Sequence, residues 1–357
     1  MKLITFPGQG TPISIPVLKA VIRNKSSSFD KILHKNLNSN DLLNYIINNP
    51  SSPGSIAVCS NFYYQLYSTS LSESKPLLQD NQLLLGHSLG ELTCLSLNSL
   101  FSLKDLFDIA NYRNELMVNF TGKYLTAHRL NGTTKFEMWA LSSPFVENLP
   151  NEIFKLLSKS PSFSSHFKSV SIANSNSVKQ CVVTGLIADL ESLRTEINYK
   201  FPRLRITELT NPDNIAFHNN TVLRPIQEPL YDFIWNILKK NQTHTLTELN
   251  SPIISNYDGR ISYFVHHAIE KFVKASSNTV QFTKCYDTIN SLPQISDDTS
   301  GNIDDNVDLL DEAICMGPGN VIYNLIRRNC TVKAHQYNSV GTIDEFNELH
   351  NVNSESK

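Results

Sequence analysis

Gly86-His87-Ser88-Leu89-Gly90 fill the pattern G-x-S-x-G, which carries a serine on the sharp turn between a strand and a helix. Such a turn closes only if its neighbours have little bulk, and glycines stand two residues away on either side. A hydroxyl held there is a nucleophile for acyl groups. Free N–H groups and the positive end of the helix dipole can stabilise the oxyanion that forms. The same five residues also describe a glycine-containing turn with a capping serine, so the flanking elements decide. Leu83 to Leu85 suit a strand buried on both faces, and Leu89, Leu92 and Leu95 or Ser96 recur at helical spacing.

Two further residues stand out by type and place. Ser102 to Val118 reads as a helix capped by Ser102 with Asp105, with an apolar face of Leu103, Leu106, Ala110 and Met117. Arg113 falls on that same face, and a guanidinium pointing inward needs an anion. A structural salt bridge or a snorkelling side chain would meet that need, as would a substrate anion. His218 ends the loop Asn214 to His218 ahead of a helical Pro229 to Lys240. By itself it is an ordinary exposed histidine or a general base. The chain opens with a short apolar strand, Lys2 to Phe6, running into Pro7-Gly8-Gln9-Gly10, either an ordinary turn or a loop whose backbone can approach a ligand.

Composition excludes more than it selects. The 357 residues suffice for one large domain with an insertion or for two ordinary ones. A net charge of -2 does not suit a nucleic-acid binder, and no apolar run approaches a membrane span. The six cysteines are scattered without a C-x-x-C pair, which predicts reduced core thiols and neither metal nor disulfide. His266 and His267 fall in a helical Ser262 to Lys274, where neighbours face apart and make a poor metal pair. Ser291 to Glu312 carries six aspartates, lacks the glycine and glutamate of a calcium loop, and reads as a solvated insertion.

These residues are to be positioned by an α/β fold. Helical patterns at Ile13 to Arg23, Phe29 to Ile47 and Ser55 to Tyr67 precede a polar stretch, Ser68 to Asn81, and the elbow. Next come a strand at Phe136 to Leu141, a helix after Pro144, strands at Ser169 to Ala173 and Gln180 to Thr184, a helix at Ala188 to Tyr199 and a strand at Leu204 to Leu209. That is β-α-β-β-α-β, the order of a ferredoxin-like subdomain. The expected organisation is a large, α/β-hydrolase-like domain with a mostly parallel sheet (1–124 and 210–357) interrupted by this subdomain (125–209), with a cleft between them. Ala313 to Met316, Gly317-Pro318-Gly319-Asn320 and the helical Val321 to Arg328 supply a closing βα unit.

Taken in order, Phe6-Pro7-Gly8-Gln9-Gly10, Gly86-His87-Ser88-Leu89-Gly90-Glu91, Arg113, Ala216-Phe217-His218 and Gly317-Pro318-Gly319 resemble the malonyl-CoA:acyl-carrier-protein transacylase family, the mitochondrial members of yeasts most closely. The resemblance covers nearly the whole chain. It implies an acyltransferase fold and [acyl-carrier-protein] S-malonyltransferase activity, with Ser88 as nucleophile and His218 as base. It further implies an oxyanion hole of the Gln9 and Leu89 backbone N–H groups, and Arg113 as partner of the malonyl carboxylate. Ala275 aligns where bacterial relatives often carry an amide; the resemblance implies that its main-chain carbonyl orients the histidine, so no third carboxylate is nominated. Phe217 is similar to what malonyl-selective members carry.

The implied reaction is ping-pong transfer from malonyl-CoA to the phosphopantetheine thiol of an acyl carrier protein, without metal or cofactor, in mitochondrial type II fatty acid synthesis. A basic rim of Lys200, Arg203 and Arg205, or of Arg327 and Arg328, is expected to meet the acidic carrier. The default state is a monomer in the matrix. Lys2, Lys19, Arg23 and Lys25 precede the first acid, Asp30, as in a presequence, yet Lys2 to Gln9 reads as part of the fold, so any such signal stays uncleaved. A serine hydrolase or thioesterase on the same elbow is the rival enzyme, though it has little use for Arg113. A silent carrier-binding scaffold is the rival outside catalysis.

Overall fold

The computed structural model describes residues 1–74, 81–130, 134–158, 168–293 and 309–355. Among these residues ten strands form two sheets: β1 (Lys2–Phe6), β2 (Gln82–Gly86), β3 (Phe136–Ser142), β4 (Ser171–Ser177), β5 (Gln180–Leu186), β6 (Arg205–Leu209), β7 (Glu248–Ile254), β8 (Ile261–Phe264), β9 (Glu312–Met316) and β10 (Lys333–Tyr337). The larger sheet has the order β10-β9-β1-β2-β7-β8, parallel except for the antiparallel edge strand β8. Its centre is apolar on both faces, since Ile4, Phe6 and Leu84 pack with one helical layer while Leu3, Leu83 and Leu85 pack with Phe282, Tyr286 and Ile322 on the other. Ligands of such sheets bind beyond the carboxyl ends of the strands, where Phe6 and Gly86 lie side by side in register.

The smaller sheet is antiparallel throughout, in the order β4-β5-β3-β6. With the helices Leu149–Ser158 and Ile187–Lys200 it has the ferredoxin-like connectivity. Trp139, Leu141, Val183, Leu149, Ile153, Leu190 and Leu193 make its separate core. One parallel bridge, Asn174 to Val280, ties its edge to the large domain.

Several elements differ from the sequence reading for local reasons. The pattern at Phe29 to Ile47 is two helices, Ser26–Lys35 and Ser39–Asn48, because Asn38 at φ 61° turns the chain between them. The helix Pro53–Ser74 continues into the polar stretch, where Thr69 and Ser70 hydroxyls donate back to the carbonyls of Gln65 and Leu66. Ser262 to Lys274 is not all helix: its start belongs to β8, and the helix is Val265–Ala275. The rings of His266 and His267 do not diverge either; their centroids lie 3.9 Å apart. Strand β4 extends to Ser177 through the polar Asn174 to Ser177. The middle of the acidic insertion, 294–308, lies outside the described residues.

Candidate active site

The elbow is built by steric exclusion. A Cβ on Gly86 would lie 1.9 Å from the Gly90 carbonyl carbon, and one on Gly90 would lie 2.6 Å from the Phe6 carbonyl oxygen. Strand β2, the elbow helix (Leu89–Leu97) and the end of β1 therefore approach closely only because both positions are glycine. Ser88 takes φ 51° and ψ -106°, a left-handed conformation that stores strain where the nucleophile must protrude. Asn256, just beyond β7, holds the turn from below: its Oδ1 accepts from the Ser88 N–H at 2.7 Å and its Nδ2 donates to the Gly86 carbonyl at 2.6 Å. Its own N–H donates to Glu91 Oε2 at 3.2 Å.

Ser88 Oγ lies 2.9 Å from His218 Nε2. Nδ1 of the same ring faces two carbonyl oxygens, Ala275 at 2.8 Å and Asn278 at 3.1 Å. Carbonyls only accept, so Nδ1 bears the proton and Nε2 is the free acceptor for the serine hydroxyl. Burial, then the nearby Arg113 cation, pushes the imidazole pKa down to about 3. The base is therefore neutral at physiological pH.

Arg113 is 1% exposed, on the long helix Leu103–Ala127 that the Ser102–Asp105 capping box begins. Its Nε donates to Ser276 Oγ at 2.9 Å, its Nη2 to Ser88 Oγ at 3.3 Å, and Phe272 lies beneath the guanidinium at 5.9 Å. No carboxylate among the described residues pairs with it, although burial costs it enough to pull its pKa down to about 10. It remains a cation, and beyond the Nη2 contact to Ser88 its Nη N–H groups meet no acceptor among the described residues.

The Pro7 to Gly10 loop lies against the elbow, for a Cβ on Gly8 would meet the His87 carbonyl oxygen at 2.6 Å. The N–H groups of Gln9 and Leu89 have no acceptor among the described residues, while the Gln9 amide donates to Asn114 at 2.7 Å. Behind this loop Gly319 packs on Thr11, so the late glycine turn buttresses the first. His87 faces the small sheet, with Nε2 3.1 Å from Asn176 Oδ1 and 3.3 Å from Asn174 Nδ2. That seam explains the polar end of β4.

The structure thus gathers Ser88, His218, Arg113 and the Ala275 carbonyl around one point, with Gln9 and Leu89 beside it. Among the described residues no three ligating side chains converge as a metal site. A cavity of about 910 Å³ in the small subdomain, lined by Phe145, Lys155, Lys200 and Arg203 among others, shares no residue with the site. Asn256, Ser276 and Asn278 were not foreseen, for each lies in a short polar run with no periodicity.

No protein-family model matches the chain. It is 61% identical, over 99% of its length and 100% of the relative's, to the mitochondrial malonyl CoA-acyl carrier protein transacylase of Saccharomyces cerevisiae. The chain belongs to the malonyl-CoA:acyl carrier protein transacylase family. A more distant member, from Synechocystis, is 22% identical over 74% of this chain and 71% of its own. Among solved structures, the transacylase of Helicobacter pylori superposes with a TM-score of 0.69 at 17% identity, covering 98% of both chains. FabD of Acinetobacter baumannii superposes with 0.70 at 19% identity, covering 98% of this chain and 97% of its own. These two establish the acyltransferase fold, with its large α/β domain and small antiparallel sheet.

Proposed function

We propose that the protein moves the malonyl group of malonyl-CoA to the phosphopantetheine thiol of an acyl carrier protein, through a malonyl ester on Ser88. His218 Nε2 takes the Ser88 proton as Oγ attacks the thioester carbonyl. The N–H groups of Gln9 and Leu89 receive the oxyanion. Collapse of the tetrahedral intermediate breaks the C–S bond, and the imidazolium returns the proton to the departing thiol. The carrier's thiol then repeats these steps in reverse. No metal or further cofactor enters. We assign this activity to mitochondrial fatty acid synthesis, in keeping with the mitochondrial name of the 61% identical relative.

The observation that carries this reading is Arg113: a buried cation, without a carboxylate among the described residues, reaching to 3.3 Å of the nucleophile. A free carboxylate on the acyl group satisfies it with a bidentate pair. Intact-protein mass after brief exposure to malonyl-CoA tests it. A malonyl-sized adduct is expected, absent in Ser88→Ala, that passes to a carrier protein bearing its pantetheine arm. An adduct lost to free malonate with or without the carrier would make the protein a hydrolase instead.

A further inference from the structure

We propose that Ser276 sets the acyl selectivity of this site by holding Arg113 through Nε, leaving the Nη edge of the guanidinium aimed at the reacting serine. This rests on the carboxylate-binding reading of Arg113 given above. Ser276 is 1% exposed and stands directly after the helix Val265–Ala275. Its N–H bonds the carbonyls of Phe272 and Val273, which fixes it to the end of that helix. Its hydroxyl proton is committed to the Phe272 carbonyl at 3.0 Å, so towards Arg113 the oxygen acts purely as acceptor, at 2.9 Å.

A guanidinium has five N–H donors in a rigid plane. Once Nε is pinned and the Phe272 ring lies beneath, the plane has one orientation left, with its outer edge towards Ser88 Oγ. Without Ser276 the long side chain regains rotamers that must be lost again when a carboxylate binds. The preceding residue, Ala275, offers its carbonyl to His218 Nδ1. Two consecutive residues of one turn therefore orient the base and the cation, and a shift of the turn would disturb both. Loss of the Ser276 hydroxyl alone disturbs only the cation. An acetyl group has no carboxylate to present and is affected far less.

The test measures kcat/KM for malonyl-CoA and acetyl-CoA, with carrier protein as acceptor, in the full chain and in Ser276→Ala, Arg113→Ala and the double variant. Ser276→Ala is expected to lower the malonyl-to-acetyl ratio about tenfold, in keeping with one hydrogen bond to a charged group. Arg113→Ala is expected to lower it further, and adding Ser276→Ala to that background is expected to change the ratio no more. An unchanged ratio in Ser276→Ala beside a reduced one in Arg113→Ala overturns the proposal. So does an equal effect of Ser276→Ala with and without Arg113. If Arg113→Ala itself leaves the ratio intact, the carboxylate reading fails first and this inference with it. Ser276→Cys, close in volume but a poor acceptor, reads the same ratio should the alanine variant fold badly.

Discussion

Asn256 clasps the turn that presents Ser88, accepting from the Ser88 N–H at 2.7 Å while donating to the Gly86 carbonyl at 2.6 Å. The N–H belongs to the residue at φ 51° and the carbonyl to the glycine two positions before it. The amide thus stands where a backbone ladder would have satisfied them, and the strained turn keeps its shape because both of its bonds go to one rigid side chain.

Asn256→Ala should therefore act on geometry rather than on binding. It strands a buried donor and a buried acceptor, each worth about 1–3 kcal/mol. The expected outcome is a fall of about tenfold or more in kcat with KM little changed, in protein that still shows native circular dichroism. An unchanged kcat would mean that glycine sterics alone hold the turn.

The depressed pKa of His218 fixes the shape of the pH profile. Only the neutral ring accepts the serine proton, so activity falls as pH drops through the free-enzyme pKa, which lies at about 3 rather than near the ordinary 6.5. With acetyl-CoA as donor, kcat/KM should stay level from about pH 8 down to about pH 5. Burial is the larger cause and the Arg113 charge the second, so Arg113→Ala should raise the acid limb without bringing it to 6.5. An acid limb at 6.5 in the unaltered enzyme would show that the imidazole is more solvated than its surroundings imply.

Some of this site is written in residue type and some only in space. The elbow is legible because its steric demand leaves glycines at 86 and 90, and Arg113 because a cation on an apolar face violates the helix pattern. His218 is different. Its loop is held by Asn211, Thr121 and Asn219 through bonds that leave no periodic trace, and only the ordered family signature raised it above a surface histidine. Asn256 and Ser276 were invisible for the same reason. Strand β10 leaves no apolar run because it is a polar edge strand, β7 is broken by Asn250, Ser251 and Pro252, and the short β8 runs directly into the helix Val265–Ala275, whereas the buried β1, β2 and β9 read as apolar runs. The end of β4 is polar because Asn174 and Asn176 serve the seam with His87, while Ser175 bonds the Thr283 hydroxyl.

Gly86→Ala should be intolerable in a way that Gly122→Ala is not. A Cβ at 86 lies 1.9 Å from backbone, where no rotamer offers relief, while at 122 it meets nothing within 4 Å. The former is expected to yield insoluble or inactive protein, with a cost above about 4 kcal/mol; the latter, inside a helix, should gain up to about 1 kcal/mol. Thermal melts and soluble yield of the two variants check the contrast, and a folded, active Gly86→Ala would refute the close approach of β2 and the elbow helix.

Glu91, the last residue of the elbow signature, is 1% exposed, and burial raises its pKa to about 8. The Asn256 N–H donates to Oε2, and this bond, the Ser255 hydroxyl, Lys271 and Arg113 favour its charge while Asp258 opposes it. Because the folded pKa lies above the unfolded value of 4.5, the folded state holds a proton that the unfolded state has released. The associated stability is complete below about pH 4.5 and is lost as pH rises through about 8. Glu91→Gln keeps an acceptor for Asn256 and removes the titration. Its melting temperature should exceed that of the unaltered protein at about pH 8, by the equivalent of a few kcal/mol at most, and the gap should close towards about pH 5. An offset equal at both pH values would mean that Glu91 is ionised in the folded protein and that Lys271 and Arg113 outweigh its burial.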